Sequence, residues 1–125
     1  MVIRSWKDAT PAVGHDAKII WSIFRRRGSE GATYEEAPLE GLLSLTLHRI
    51  QPGASGDSHA HEDKEQVYYF TRGRGKMRVD GHLCEVREGD AVHLPPRTQH
   101  QMVNDSDDWV EHLIISADVP RHARG

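Results

Sequence analysis

The chain has 125 residues, a formal net charge of −3 at pH 7 and a sequence pI near 6.3. This length suits one domain that buries roughly two thirds of its unfolded surface, so we predict a single domain over residues 1–125. The slightly acidic balance argues against nucleic-acid binding, which usually requires a strongly basic face.

Cysteine use and hydropathy give an expectation about the compartment. The single cysteine, Cys84, excludes an intramolecular disulfide, and we expect it to be a small buried side chain in a reducing environment. The N-terminus lacks the pattern of a signal peptide, and no apolar run approaches membrane-spanning length. We therefore expect a cytoplasmic protein that has no membrane partner.

The first predicted strand, 19–24, is apolar on both faces, which implies burial on both sides. One face can cover the main part of the domain, which we place at 40–117. The other face is expected to meet a second copy of the chain, since pairing protects an exposed strand edge. We predict a homodimer with the N-terminal segment, 1–35, at its interface.

Seven further short segments are predicted to be strands, because they are rich in β-branched and aromatic residues and are separated by turn residues. They span 42–50, 66–70, 75–79, 83–86, 91–94, 100–103 and 109–116. The pair Asp80-Gly81 predicts a tight hairpin between two of them. No segment has a convincing helical pattern, so the chain is predicted to be all-β, as a barrel or a sandwich.

Two short motifs contain the residues with the most informative chemistry. The first contains, in order, Gly53, His59, His61, Glu65, Gln66 and Gly73. The second contains Gly89, Pro95, His100 and Asn104. Alternate residues of an extended strand face the same side, about 6 to 7 Å apart, so the first two histidines can turn toward one point. His100 is expected to reach the same point from a more distant strand.

Three imidazoles and one oxygen ligand form a set that suits a divalent transition metal ion, namely Zn, Fe, Ni, Mn or Co. In order and spacing the two motifs resemble those of the cupin family over residues 53–104. This resemblance implies a double-stranded β-helix, the jelly-roll barrel of cupins. The sequence departs from the family pattern at two positions, the oxygen ligand and Arg97.

The oxygen ligand is expected to be Gln66, with Glu65 as the alternative. Both lie at a spacing from the histidine pair that the family permits, but counting back from Gly73 places the ligand position on Gln66. That register also puts Gln66, Tyr68 and Phe70 on one inner face. A neutral glutamine leaves the full charge of the ion, whereas a glutamate cancels one unit of it. Some cupins that open an unsaturated uronate ring in pectin degradation have a similar His, His, Gln, His set.

Arg97 stands where the turn of the second family motif has glycine. Glycine serves positions that need a positive φ, so either this turn differs or Arg97 is retained for a use. One such use is a cation at the rim of the site for an anionic substrate. The alternative is a solvated arginine on a modified turn.

The interior of the barrel is expected to be lined by inward-facing side chains. Alternation predicts a substrate pocket that contains Phe70, Arg78, Met102 and His112, with Arg97 at the rim. Tyr68 is the candidate catalytic residue, because it follows Gln66 by two positions and can donate or accept a proton. A structural role for Tyr68, as an aromatic wall, is the alternative.

Four protein ligands leave one or two metal positions open for water, substrate or dioxygen, which is typical of a catalytic site. We therefore expect an enzyme that acts on a small oxygen-rich or anionic metabolite by Lewis-acid chemistry, as an isomerase or lyase does. One alternative is an Fe(II)-dependent dioxygenase. The other is a non-catalytic module that binds or senses a small molecule.

Overall fold

The computed structural model describes residues 1–28 and 30–120, and this part of the chain is almost entirely β-structure. The strands are β1 (Ala12–Gly14), β2 (Lys18–Arg25), β3 (Leu42–Ile50), β4 (Lys64–Arg72), β5 (Arg74–Val79), β6 (His82–Arg87), β7 (Ala91–Leu94), β8 (His100–Val103) and β9 (Val110–Asp118). One short 3-10 turn, Trp6–Asp8, precedes them. None of the described residues forms a helix long and apolar enough to span a membrane.

Two antiparallel sheets form the jelly-roll barrel predicted from the sequence. The larger sheet has six strands in the order β1-β2-β3-β9-β4-β7, and the smaller has the order β6-β5-β8. A cluster of buried side chains from both sheets fills the space between them. It contains Ile50, Tyr68, Phe70, Met77, Val86, Leu94, Met102, Val110 and Ile114.

Most strand boundaries agree with the sequence prediction. β3, β7 and β8 have the predicted bounds, and β2, β4, β5 and β6 extend one or two residues further at one or both ends. β9 begins one residue later and ends two residues later than predicted, and β1 was not predicted. Asp80 and Gly81 join β5 to β6 with φ values of 47° and 84°, as a two-residue hairpin turn with two positive φ angles requires. Local turn chemistry and alternation thus determine where the strands lie.

Strand register places the residues of the site in rows across the larger sheet. Gln66 pairs with Ser116 on β9 and with Leu94 on β7. One row along, Tyr68 pairs with Ile114 and Val92. Because paired residues project to the same face of a sheet, each row presents its side chains together to the interior.

The next row contains two histidines on neighbouring strands. His112 pairs with Phe70 on β4 and with His48 on β3. This row brings a polar pair into an otherwise apolar part of the barrel.

The N-terminal segment covers the outside of the larger sheet. The Trp6 ring lies against Trp21 of β2 with 5.2 Å between centroids, and the guanidinium of Arg49 lies 4.9 Å from the Trp6 ring and 5.5 Å from the Trp21 ring. A bulge between Ser22 and Phe24 interrupts the β2–β3 pairing. The division into segment 1–35 and core 40–117, and pairing with a second copy, stay predictions.

Cys84 does not have the buried position expected from the sequence, because its side chain is exposed. It lies on β6, which is an edge strand of the smaller sheet, and Val86 is the buried residue of that strand. The apolar appearance of the segment therefore overstated its burial.

Candidate metal centre

Three histidines, His59, His61 and His100, meet at one end of the barrel. One imidazole nitrogen of each lies within 4.8 Å of the others. Their ring centroids are 4.9 Å apart for His59 and His61, 4.3 Å for His59 and His100, and 5.6 Å for His61 and His100. The spacing predicted from the sequence therefore corresponds to proximity in the fold.

Backbone pairing explains how His100 reaches the first two histidines. The His59 N–H donates to the His100 carbonyl at 3.0 Å, and the His100 N–H donates to the His59 carbonyl at 2.8 Å. His59 forms only this isolated bridge and belongs to no longer strand, and His61 lies outside the strands. The expectation that His100 comes from a more distant strand was wrong, because it is the direct partner of His59.

Two of the imidazoles are oriented by oxygen atoms behind them. His100 Nδ1 lies 2.9 Å from the Thr98 carbonyl, and His59 Nδ1 lies 3.4 Å from the Asp57 carbonyl and 3.5 Å from its carboxylate. A proton on Nδ1 satisfies these oxygen atoms and leaves the Nε2 lone pair free. This arrangement is typical of metal-ligating histidines.

Gln66 and Glu65 occupy opposite faces of β4. The Gln66 side-chain amide donates to Ser116 Oγ at 3.0 Å, which directs its other end away from that hydroxyl. Glu65 Oε1 lies 2.9 Å from His93 Nε2, and both of those side chains are about half exposed. The geometry therefore favours Gln66 over Glu65 as the oxygen donor that faces the interior of the barrel.

The donor atoms at this point fit a metal ion. Among the described residues, His61 Nε2, His100 Nε2 and Gln66 Oε1 are buried and have no hydrogen-bond partner. Buried polar atoms are normally paired, so these three unpaired lone pairs, two of them within the histidine cluster, require an explanation. A cation held by two imidazole nitrogens and an amide oxygen, with His59 beside them, would satisfy all three.

Burial keeps the three imidazoles neutral. It is the main cause that lowers the pKa of His59 and of His61, and it lowers the pKa of His100 to about 4. Neighbouring histidines act in the same direction, whereas Asp57 opposes the shift at His59 and His61. Neutral imidazole is the form that can bind a metal ion, so the site is in its ligating form at pH 7.

Arg97 takes the backbone conformation that glycine has in the family motif. Its φ is 63°, and its N–H donates to the His61 carbonyl at 2.6 Å. The side chain is exposed. The structure therefore brings the backbone of Arg97 to the site and leaves its cation on the surface.

The predicted pocket residues divide into two groups. Tyr68, Phe70, Met102 and His112 are buried inside the barrel, where Phe70 and Met102 belong to the apolar core. Arg78 is exposed on the outer face of β5, so it does not line the pocket. The inward positions of that strand belong to Gly75, Met77 and Val79, one residue out of phase with the prediction.

Two interior residues, Lys18 and His48, were missed by the sequence analysis. Lys18 is 2% exposed, and its ammonium lies 5.3 Å from the centroid of the Tyr68 ring. His48 stacks on His112 with 5.2 Å between ring centroids. Tyr68 also stacks on His112, with 4.7 Å between ring centroids. A lysine or histidine inside an otherwise apolar strand was the available signal.

Low polarity dominates the electrostatics of this interior. Burial lowers the pKa of Lys18 to about 8, and Asp57 acts in the opposite direction. Burial, followed by the charge of Lys18, lowers the pKa of His48 to about 3. Burial also raises the pKa of Tyr68, so its phenol stays protonated.

A surface pocket of about 620 Å³ lies elsewhere, between the smaller sheet and the β8–β9 loop. Charged side chains line it, and one pair of them, Lys76 and Asp105, is bridged at 2.6 Å. None of its lining residues belongs to the histidine cluster. No histidine is among its lining residues.

Comparison with known proteins agrees with this architecture. Residues 46–116 match the family model of the cupin domain. Over 66 residues the chain is 41% identical to an uncharacterized protein of Methanocaldococcus jannaschii, which covers 52% of this chain and 53% of that protein. Over 90 residues it is 31% identical to gentisate 1,2-dioxygenase 1 of Aquipseudomonas alcaligenes, which covers 65% of this chain and 26% of that enzyme. The chain thus spans about half of the first relative and about a quarter of the second.

A solved structure shares the whole fold. A predicted oxalate decarboxylase of Thermotoga maritima superposes with a TM-score of 0.77, covering 94% of this chain and 99% of that one, at 17% sequence identity. At this identity the likeness establishes the fold alone.

Proposed function

The chain belongs to the cupin family, and we propose that it is a metal-dependent enzyme that acts on a small anionic metabolite by Lewis-acid chemistry, as an isomerase or lyase does. His59, His61, His100 and Gln66 would hold one divalent transition metal ion, which is Zn, Fe, Ni, Mn or Co. When bound, such an ion polarises a carbonyl, carboxylate or hydroxyl oxygen of the substrate.

The observation that carries this proposal is the neutral oxygen donor. Gln66 Oε1 is buried and unpaired, whereas the carboxylate of Glu65 lies on the exposed face with His93. With no carboxylate among the ligands, the site keeps the whole charge of a divalent ion. That charge favours anionic groups and strong polarisation of a bound oxygen.

Tyr68 is the residue best placed to act on the substrate. Its ring lies 5.9 Å from that of His100, and its side chain is 1% exposed. A buried, protonated phenol can donate a hydrogen bond or a proton to a developing negative charge on oxygen. We therefore propose Tyr68 as the general acid, with its second role as an aromatic wall against His112.

An Fe(II)-dependent dioxygenase is the second candidate. Its support is the 31% identity to a gentisate 1,2-dioxygenase, over the part of that enzyme that the chain covers. A histidine-rich site with open positions also suits Fe(II). A non-catalytic binding or sensing module is the third candidate. It would use the same metal-ligating atoms to bind a small molecule, without converting that molecule to a product.

The test begins with metal content. Wild-type protein, Gln66→Ala and Glu65→Ala should be purified without added metal or chelator and their metal measured by elemental analysis. We expect near-stoichiometric metal in wild type and Glu65→Ala, and a large loss in Gln66→Ala. Loss in Glu65→Ala alone would assign the oxygen ligand to the other residue.

The reaction class is then tested with defined metals. Zn-loaded and Fe(II)-loaded proteins should be incubated with a panel of small carboxylates, hydroxy acids and uronates, with products followed by NMR and oxygen by electrode. Lewis-acid chemistry predicts turnover with Zn and no oxygen uptake. Turnover only with Fe and with oxygen consumption would establish the dioxygenase instead. If neither the Zn-loaded nor the Fe(II)-loaded protein converts a compound that it binds, the result would favour the non-catalytic binding module.

A further inference from the structure

The barrel contains a buried ammonium group that has no direct ion-pair partner. Lys18 is 2% exposed, its ammonium lies 5.3 Å from the centroid of the Tyr68 ring, and no salt bridge to it is found among the described residues. Its stem is held close to the backbone, because a Cβ added at Gly56 would lie 3.0 Å from Lys18 Cε. Burying a charge without a partner is costly, so this position requires a compensating anion.

The groups that face Lys18 do not supply that anion. Tyr68 of β4, His48 of β3 and His112 of β9 surround it, and all three are neutral at pH 7. The acidic group that acts on it is Asp57, on the loop after β3. That carboxylate acts on Lys18 without a direct salt bridge between them, and its Oδ1 lies 3.0 Å from His15 Nδ1.

Lys18 is also close to the candidate metal centre. Its ammonium and the ring of His100 both lie within 6 Å of the Tyr68 ring, at 5.3 Å and 5.9 Å. The same space contains further unsatisfied polar atoms, because His48 Nδ1 and both ring nitrogens of His112 are buried without a partner. A small molecule in contact with these groups would meet a cation and several hydrogen-bonding nitrogens.

We propose that Lys18, with the stacked pair His48 and His112, forms an anion subsite that binds a carboxylate of the substrate. A second oxygen-bearing group of the same molecule would then lie at the metal centre. The substrate class is a small dicarboxylate, or a hydroxy or keto acid of similar length. The inference rests on the proposed function only for this second group, since the Lys18 subsite consists of residues that are not metal ligands.

Succinate is a suitable probe, with acetate as the singly charged comparison. Binding should be measured by calorimetry on Zn-loaded and metal-free protein for wild type, Lys18→Met and Lys18→Gln. Lys76→Met is the matched control, because Lys76 lies on β5 and pairs with Asp105 on the surface. We expect the Lys18 variants to bind succinate at least tenfold more weakly in both metal states, with the control within twofold of wild type.

Wild-type protein gives a measurement that does not depend on the folding of any variant. The ¹³Cε signal of Lys18 should shift on addition of succinate, whereas that of Lys76 should not. In the Zn-loaded protein, succinate should bind more tightly than acetate, and this difference should disappear in Lys18→Met. An unmoved Lys18 signal, or equal succinate binding by Lys18→Met and wild type, would overturn the subsite.

The two proposals can fail separately. If the protein takes up no metal, the proposed function fails, while Lys18-dependent succinate binding by the metal-free protein still supports the subsite. If metal-dependent turnover is found but replacement of Lys18 changes neither succinate binding nor KM, the subsite fails alone.

Discussion

Acid should destabilise this protein through two histidines that are not candidate metal ligands. His48 and His112 are 4% and 0% exposed, and they stack on each other inside the barrel. Burial, followed by the charge of Lys18, lowers the pKa of both, to about 3 for His48 and well below the ordinary value for His112. The perturbation is a change of pH from 7 to 5.

The direction follows from proton binding in the two states. An unfolded histidine has an ordinary pKa of about 6.5, so below that pH the unfolded chain binds protons that the folded chain excludes. The stability contributed by each histidine is therefore complete above about pH 6.5 and is lost as the pH falls toward the folded pKa. For His48 the loss between pH 7 and pH 5 is about 2 kcal/mol, and the exclusion of a proton from buried His112 acts in the same direction. The loss for His48 alone is a sizeable part of the roughly 5 to 15 kcal/mol that is typical of a domain.

The assay is guanidinium denaturation followed by tryptophan fluorescence at several pH values from 7.5 to 5. The comparison is between wild type and His48→Gln, which retains a polar side chain but cannot titrate. Below pH 6 the slope of stability against pH should be smaller in His48→Gln by nearly one proton, about 1.4 kcal/mol per pH unit. His82→Gln is the control, because His82 is exposed on β6.

The same assay can separate protonation of His48 from loss of a bound metal ion. Metal-loaded and chelator-treated protein should be measured in parallel, so that metal release is separated from protonation of His48. Identical slopes for wild type and His48→Gln, in both metal states, would show that His48 is protonated in the folded state or is hydrated, and would refute the reasoning.

Three further predictions concern single positions and assembly. Asn104→Ala should lower the free energy of unfolding by about 2 to 4 kcal/mol, because its buried amide donates to the carbonyls of Ile50 and Asp108 at 3.0 and 2.8 Å; denaturant titration measures this. Arg97→Gly should raise it by up to about 1 kcal/mol, since the φ of 63° suits glycine, and a decrease in thermal midpoint would contradict this. We also propose a homodimer through the N-terminal segment, so light scattering at micromolar concentration should give twice the 14.1 kDa chain mass, and a strict monomer would exclude it.

Sequence reasoning located the strands well because their signals are local. Strands such as Leu42–Ile50 and Ala91–Leu94 are bounded by residues that disfavour extended pairing, so their limits can be predicted without tertiary information. The family motifs likewise identified three histidines that meet in the fold. For Gln66, register counted from Gly73 gave the inner face that the structure has.

Register was the source of the errors. In β5 the choice between Met77 and Arg78 as the inward residue depends on pairing with β6 and β8, which no local pattern contains. The exposure of Cys84 has a related cause, since an edge strand and a covered strand have similar compositions. The direct pairing of His59 with His100 is a long-range contact and could not be predicted from either motif alone.

Lys18 was missed for a different reason. It opens a strand of mostly apolar residues, and a lysine at the end of such a strand usually extends its charge into solvent. Here the neighbouring loop closes over it at Gly56, so the ammonium remains inside. Only the tertiary structure distinguishes a lysine that reaches solvent from one that is enclosed.

The interior of the barrel contains two kinds of side chain, an apolar set that stabilises the fold and a polar set that can bind ligands. Phe70, Met77 and Met102 form an apolar core that supports the fold, whereas Lys18 and the histidines bring polar groups with incomplete hydrogen bonding into the same barrel. Such groups reduce stability, and a core of apolar residues would be more stable. Ligands that satisfy them should therefore stabilise the folded protein by preferential binding. We propose that the predicted acid sensitivity, the unpaired atoms at the candidate metal centre and the buried ammonium have a common origin, which is an interior arranged for a bound cation and an anionic partner.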